Sequence, residues 1–197
     1  MEQKVLKELL LQSLEHERGG VKIYQTALKC VVNDDLREEW ERYEQETETH
    51  VQILHDVFSA LQLDPDEQSP GRTLVRDTGM RLVRNMEEAL KAGDAAAAQL
   101  VAGECVTIAE LKDHFHWELI GQAAQALEGT EGKALKGAYA EVEDQEDEHF
   151  YHSKGWCREL WLEALGMKAV LPPPEEKKHV KTAIGAARAE QSRSKMR

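Results

Sequence analysis

The sequence predicts an all-α fold: an antiparallel four-helix bundle with one long crossover that contains an extra helix, followed by a C-terminal arm. Three observations predict it. Apolar residues recur at the helical period along the chain, and strand-type alternation is absent. Gly and Pro fall at a few punctuating positions. The intervals between them are four stretches of roughly thirty residues, grouped as two hairpins and joined by an insert over 63–94, which is crossover connectivity.

The first helix runs from about Glu2 to Val32 on the stripe Leu6, Leu10, Leu14, Val21, Tyr24, Leu28, Val31. "NDD" (33–35) breaks it and supplies a cap for the second, which runs to about Leu63 on Leu36, Trp40, Tyr43, Leu54, Val57, Leu61. "LDPDEQSPG" (63–71) is a loop, and the crossover helix follows over about 72–92 with Leu74, Met80, Val83, Met86 and Leu90. "AGD" (92–94) stops and caps; the third long helix spans about Ala95 to Leu127. "EGTEG" (128–132) turns the chain into a fourth, about Lys133 to Leu165. Residues 1–165 thus form the bundle, and 166–197 a Pro-containing basic arm with a weak helix over about 175–190 and a frayed end.

Net charge is −12; residues 166–197 carry eight Lys or Arg against three Glu, +5, which leaves −17 on residues 1–165. An acidic body repels phosphates and argues against a nucleic-acid partner. The three cysteines are widely spaced with no CxxC pair, which fits a reducing compartment. The N-terminal segment reads as a helix rather than a signal peptide, and no stretch is apolar enough to span a membrane, so a cytoplasmic location is expected. No phosphate-binding loop and no G-x-S-x-G motif occurs.

The informative residues are polar ones on apolar stripes, because a buried charge is costly unless it is paired or holds a metal. Glu17 interrupts the first stripe, Thr47 and His50 the second, and Glu146 and His149, within "EDQEDEHFYH" (143–152), the last. Residues equidistant from a hairpin turn lie level. Glu17 and His50 are each about 16 residues from the first turn; Glu110 and His149 are about 20 and 19 from the second. The third long helix has two apolar faces, one with Val101, Cys105, Ile108, Phe115 and Leu119 and Glu104 at its edge, the other with Val106, Trp117, Ile120 and Glu110. Turn symmetry favours Glu110 over Glu104. A weak internal repeat agrees: an offset of 93 maps Glu17 and Tyr24 onto Glu110 and Trp117, and an offset of 99 maps His50 onto His149 and Tyr43 onto Val142, but Thr47 onto Glu146. A metal-bound His149 is expected to donate its other ring N–H to Asp113 or Glu143.

These residues resemble the ferritin-like di-iron carboxylate superfamily, with its rubrerythrin-type and bacterioferritin-type bundles, over about 10–165, as a divergent member. That pattern has one Glu on the first and third helices and Glu-x-x-His on the second and fourth. Glu17 with Tyr24 resembles the first motif, Glu110 with Trp117 the third, and "EDEH" (146–149) the fourth. "ETETH" (46–50) departs from it, since Thr47 stands where a Glu belongs. Glu46 lies about 100° further round and needs a distorted helix to reach the centre. The resemblance implies a dinuclear Fe or Fe/Mn site on Glu17, His50, Glu110, Glu146 and His149, with Zn as another candidate, oxidoreductase chemistry on O₂ or peroxide, and a homodimer. At Thr47 the alternatives are one weaker metal, a water in place of the carboxylate, or a single ion. The opposing reading is a metal-free structural or interaction protein whose buried Glu and His pair with each other and which acts through its surface or a dimer interface.

Overall fold

The computed structural model describes residues 2–170 and 174, and no strand occurs among them. Five helices form: α1 (Gln3–Cys30), α2 (Asp34–Ala60), α3 (Pro70–Lys91), α4 (Ala95–Ala126) and α5 (Gly129–Ala164). The all-α class and the element order match the sequence reading; the weak helix expected over 175–190 lies outside the described residues.

The boundaries differ where turn chemistry overrides periodicity. α1 stops at Cys30, before the expected Val32, because Val31 is already extended (ψ 132°). Asn33 caps α2 by accepting the Leu36 N–H. α2 ends at Ala60 rather than Leu63, and Gln62 turns the chain with left-handed backbone (φ 55°). α3 begins earlier than expected, at Pro70: Ser69 caps it by accepting from the Arg72 N–H, and a first-turn proline forfeits only an N–H that has no helical partner. α5 starts at Gly129 instead of Lys133, after Gly129 makes the turn at φ 74°.

The long helices pack in the order α1–α2–α5–α4 and back to α1, and α3 lies outside across α1 and α4. Side-chain contacts give the directions. His16 meets Ala109 and Ser13 meets His116, so α4 runs opposite to α1. Tyr43 meets His152 and His50 meets Gln145, so α5 runs opposite to α2. Two apolar clusters fill the interior: one contains Tyr24, Leu36, Trp40, Met86 and Val106, the other Leu10, Leu54, Phe58, Trp117 and Ile120. Between them, in sequence and in space, lies a polar layer.

α4 turns its Val106, Trp117 and Ile120 face inward. Its other apolar row, Ile108, Phe115 and Leu119, is 53%, 53% and 37% exposed, since α3 covers only part of α4. This decides between the two candidate acids: Glu110 is buried and Glu104 is on the surface.

α3 is fastened to α1 by ions as well as by Val75, Leu82 and Met86. Arg72, which is buried, donates from Nε to Glu15 Oε2 at 2.7 Å, and Arg76 donates from Nε to Glu15 Oε1 at 2.6 Å. Burial alone would raise the Glu15 carboxyl; the two guanidinium groups outweigh it and hold the pKa at about 2. The sign follows from linkage. A carboxyl lowered on folding contributes stability that is full above its unfolded value of about 4.5 and is lost as pH falls toward 2. In urea titrations between pH 5 and 2.5, Glu15→Gln is therefore expected to flatten the acid loss of stability relative to wild type. Parallel profiles for the two proteins would refute this role.

Candidate metal centre

The stretch "EHE" (15–17) on α1 shows how the polar layer is built, because α1 has helices on three sides. Glu15 faces α3 through the two arginines. His16 faces α4 and donates from Nε2 to the Ala109 carbonyl at 3.0 Å. Burial, which disfavours the imidazolium, lowers the His16 pKa to about 4, so this ring is neutral. Glu17, fully buried, faces the centre.

All five residues singled out in the sequence meet there, and each is at most 4% exposed. His50 Nδ1 lies 3.1 Å from Glu146 Oε1 and 3.5 Å from Glu17 Oε1. His149 Nδ1 lies 3.7 Å from both Glu110 Oε2 and Glu146 Oε1. Two ligand groups result, Glu17–His50–Glu146 and Glu110–Glu146–His149; within each, one ligand atom per residue lies within 4.8 Å of the others. Glu146 belongs to both. The atoms with no hydrogen-bond partner include Glu17 Oε2, His50 Nδ1, Glu110 Oε2, both oxygens of Glu146 and His149 Nδ1. Native interiors seldom leave polar atoms unpartnered, so this concentration is itself a chemical signal.

The outer partners of these groups are satisfied, and they obey the internal repeat. Trp117 donates from Nε1 to Glu17 Oε1 at 2.7 Å, and Tyr24 donates to Glu110 Oε1 at 2.8 Å. The aromatic on each helix thus serves the carboxylate on the other. His50 donates from Nε2 to Gln145 Oε1 at 2.7 Å, and His149 donates from Nε2 to Glu46 Oε2 at 2.7 Å. Glu46 and Gln145 are themselves related by the 99-residue offset. Both imidazoles are therefore held from behind with Nδ1 turned inward, as a ligand histidine requires.

This corrects two expectations. The acceptor behind His149 is Glu46, not Asp113 or Glu143, and Glu46 needs no helix distortion because it works from outside the centre. Its position on α2 faces α5, a relationship that spacing along one helix does not reveal. Thr47 is buried, and its hydroxyl donates back to the Tyr43 carbonyl at 2.8 Å. It offers no carboxylate, and its methyl lies 3.2 Å from where a Cβ on Gly20 would stand.

Several neighbours were missed or undervalued in the sequence. Asp113, one turn beyond Glu110, is buried beside the cluster, and burial together with the charges of Glu17, Glu146 and Glu110 raises its carboxyl well above the usual range. The same burial pushes Glu110 up to about 7, despite the lowering effect of His149. Burial disfavours a charged His50, but Glu17 and Glu146 outweigh it and raise its pKa well above normal; for His149, Glu46 and Glu110 likewise outweigh burial and raise its pKa. On the α2 side, Tyr43 packs against His149, with ring centroids 4.0 Å apart, and donates to Glu39 Oε1 at 2.5 Å. Glu39 also takes the Trp156 indole N–H and lies 2.7 Å from His152 Nδ1. Glu39, Glu148 and His152 form a third candidate group, but Arg42 already pairs with Glu148 and lies 3.9 Å from Glu39.

Among the described residues, no helix is long and apolar enough to cross a membrane. No family model, curated protein or solved structure compared with the chain gives a match, so the site is read from its own geometry.

Proposed function

We propose that the chain is a ferritin-like four-helix bundle that holds a dinuclear metal centre, with Fe or Fe/Mn as the ions and redox chemistry on O₂ or peroxide as the activity. The observation that carries this reading is the set of unpartnered, inward-facing atoms on Glu17, His50, Glu110, Glu146 and His149, contributed by all four long helices. Three carboxylates with two imidazoles suit Fe, Mn or Zn better than Ca or Mg, whose ligands are nearly all oxygen. Glu17 and His50 would hold one ion, Glu110 and His149 the other, and Glu146 would bridge. Bound iron would supply one-electron chemistry and open positions for a small oxidant. The residues of this chain do the rest. Trp117 and Tyr24 orient the terminal carboxylates, Gln145 and Glu46 fix the imidazoles, and the apolar clusters on either side exclude water. Thr47 puts no carboxylate at this level of α2, so among the described residues Glu146 is the one that would serve both ions.

Elemental analysis of protein purified without chelators from Fe- and Mn-supplemented cells tests this directly. Near two equivalents per chain is the expected result, and none after anaerobic Fe(II) loading would overturn it. Glu46→Gln is expected to lower metal affinity about 10- to 100-fold, the usual effect of removing a histidine's outer partner. Titration with Co(II), followed by its visible absorption, reads this out, and unchanged affinity would remove Glu46 from the assignment.

A second reading rests on a different observation. The outward row Ile108, Leu111 and Phe115 on α4 is more than half exposed, a face suited to a second copy of the chain. Sedimentation that shows only monomer at high concentration would dismiss it.

A further inference from the structure

A cavity of about 230 Å³ lies between α4 and α5, beside the second apolar cluster, from which Trp117 lines it. Its inner end is made by Trp117 and Glu146, both buried, and Glu146 has no hydrogen-bond partner for either oxygen. Its outer part is made by Glu118, Glu143 and Asp147, with His114 between them and the interior. Exposure falls along this line: the side chain of Glu118 is 59% exposed, Asp147 44%, His114 14% and Glu146 2%. His114, which lines the same cavity and is far less exposed than the outer acids, already engages two of them: its Nδ1 lies 3.3 Å from Asp147 Oδ1 and its Nε2 lies 3.6 Å from Glu118 Oε1. Tyr139, which also lines the cavity, donates to Glu143 Oε1 at 2.8 Å and so holds that carboxylate in place. The ring of Tyr139 can lie there because residue 121 is glycine; a Cβ would stand 2.6 Å from the ring.

We infer that this cavity is the intake for divalent cations: Glu118, Glu143 and Asp147 collect the ion, His114 holds it in transit, and Glu146 receives it. The inference rests on the metal reading above. Three carboxylates grouped at one opening raise the local cation concentration there, which acts on the rate of binding. The final affinity is set by the buried ligands. The role of Glu146 is then double, as bridge and as the ligand nearest the outside.

The test is stopped-flow loading of the full metal-free chain with Co(II) chloride at low ionic strength, with final stoichiometry measured separately. The triple variant E118Q/E143Q/D147N is expected to load at least about tenfold more slowly than wild type, within the range known for electrostatic steering, and to reach the same stoichiometry. Its rate should also depend less on added salt. H114A should be slower than wild type at high salt as well, because it removes a transit ligand rather than a field. The control D35N/E38Q/E41Q neutralises three acids on α2, remote from the cavity, and should load at the wild-type rate. Equal slowing in the control and the triple variant would overturn the assignment by showing a global charge effect, and an unchanged rate in the triple variant would overturn it outright. If the wild-type chain takes up no Co(II), the metal reading itself fails; normal uptake with unaltered rates sinks only the intake.

Discussion

Replacing Glu146 by Gln is expected to empty both metal positions, whereas Glu17→Gln or Glu110→Gln should each impair one. The difference follows from membership: Glu146 is shared by the two ligand groups, and the other carboxylates serve one apiece. In the proposed dinuclear reading Thr47 sharpens the asymmetry, because it offers no carboxylate to share the role of Glu146. Gln keeps the shape of the side chain but not the negative charge that two cations need, so an affinity loss of about 100-fold or more is expected at both positions, above the range seen for outer partners. The fold should survive, since the apolar clusters at either end of the layer do not involve Glu146. Metal equivalents per chain, measured beside the far-ultraviolet circular dichroism of each variant, check this. Retention of one tight equivalent in E146Q would show that the two positions do not share this carboxylate.

The second large effect concerns stability. Arg72 is 2% exposed, and it donates to Glu15 Oε2 at 2.7 Å, to the Pro65 carbonyl at 2.6 Å and to the Glu67 carbonyl at 3.0 Å. It therefore joins the α2–α3 loop, the crossover helix and α1 at one point. Arg72→Ala leaves the partly enclosed Glu15 with only the more exposed Arg76 and strips two carbonyls of their donor. Breaking a buried pair by removing one partner costs about 3–5 kcal/mol. For a chain of this size that is a fall in Tm of roughly 6–20 °C. Arg72→Lys should recover part of it, since the charge remains but the fork that reaches three acceptors does not. A loss below about 1 kcal/mol in the unfolding curves of Arg72→Ala, judged against the range for buried pairs, would mean that the loop is held by other contacts. Metal stoichiometry in the variant should be unchanged, which separates the brace from the centre two residues away.

How much of this was legible along the chain varies with the kind of contact. Periodicity located all five helices, because a buried stripe repeats wherever a helix has one partner face. It erred at their ends, at Cys30, Ala60, Pro70 and Gly129, where one capping side chain or one left-handed residue decides the boundary. The centre was legible because its residues break apolar stripes and lie level across two hairpins: Glu17 with His50, Glu110 with His149. Glu104 against Glu110 was settled only by which face of α4 looks inward, since both faces carry apolar residues and α3 leaves the outer row exposed.

The sequence by itself determined the helical class, the order of the elements and, of the buried acids and imidazoles, Glu17, His50, Glu146 and His149, because burial leaves a periodic mark on a single helix; Glu110 was only favoured by turn symmetry. Only the tertiary structure decided their partners: Glu46 behind His149, Gln145 behind His50, Trp117 on Glu17, Tyr24 on Glu110 and Arg72 on Glu15. Each of those contacts joins two helices, and a hydrogen bond across an interface depends on the relative rotation and height of both. Neither quantity is written in the spacing along one of them.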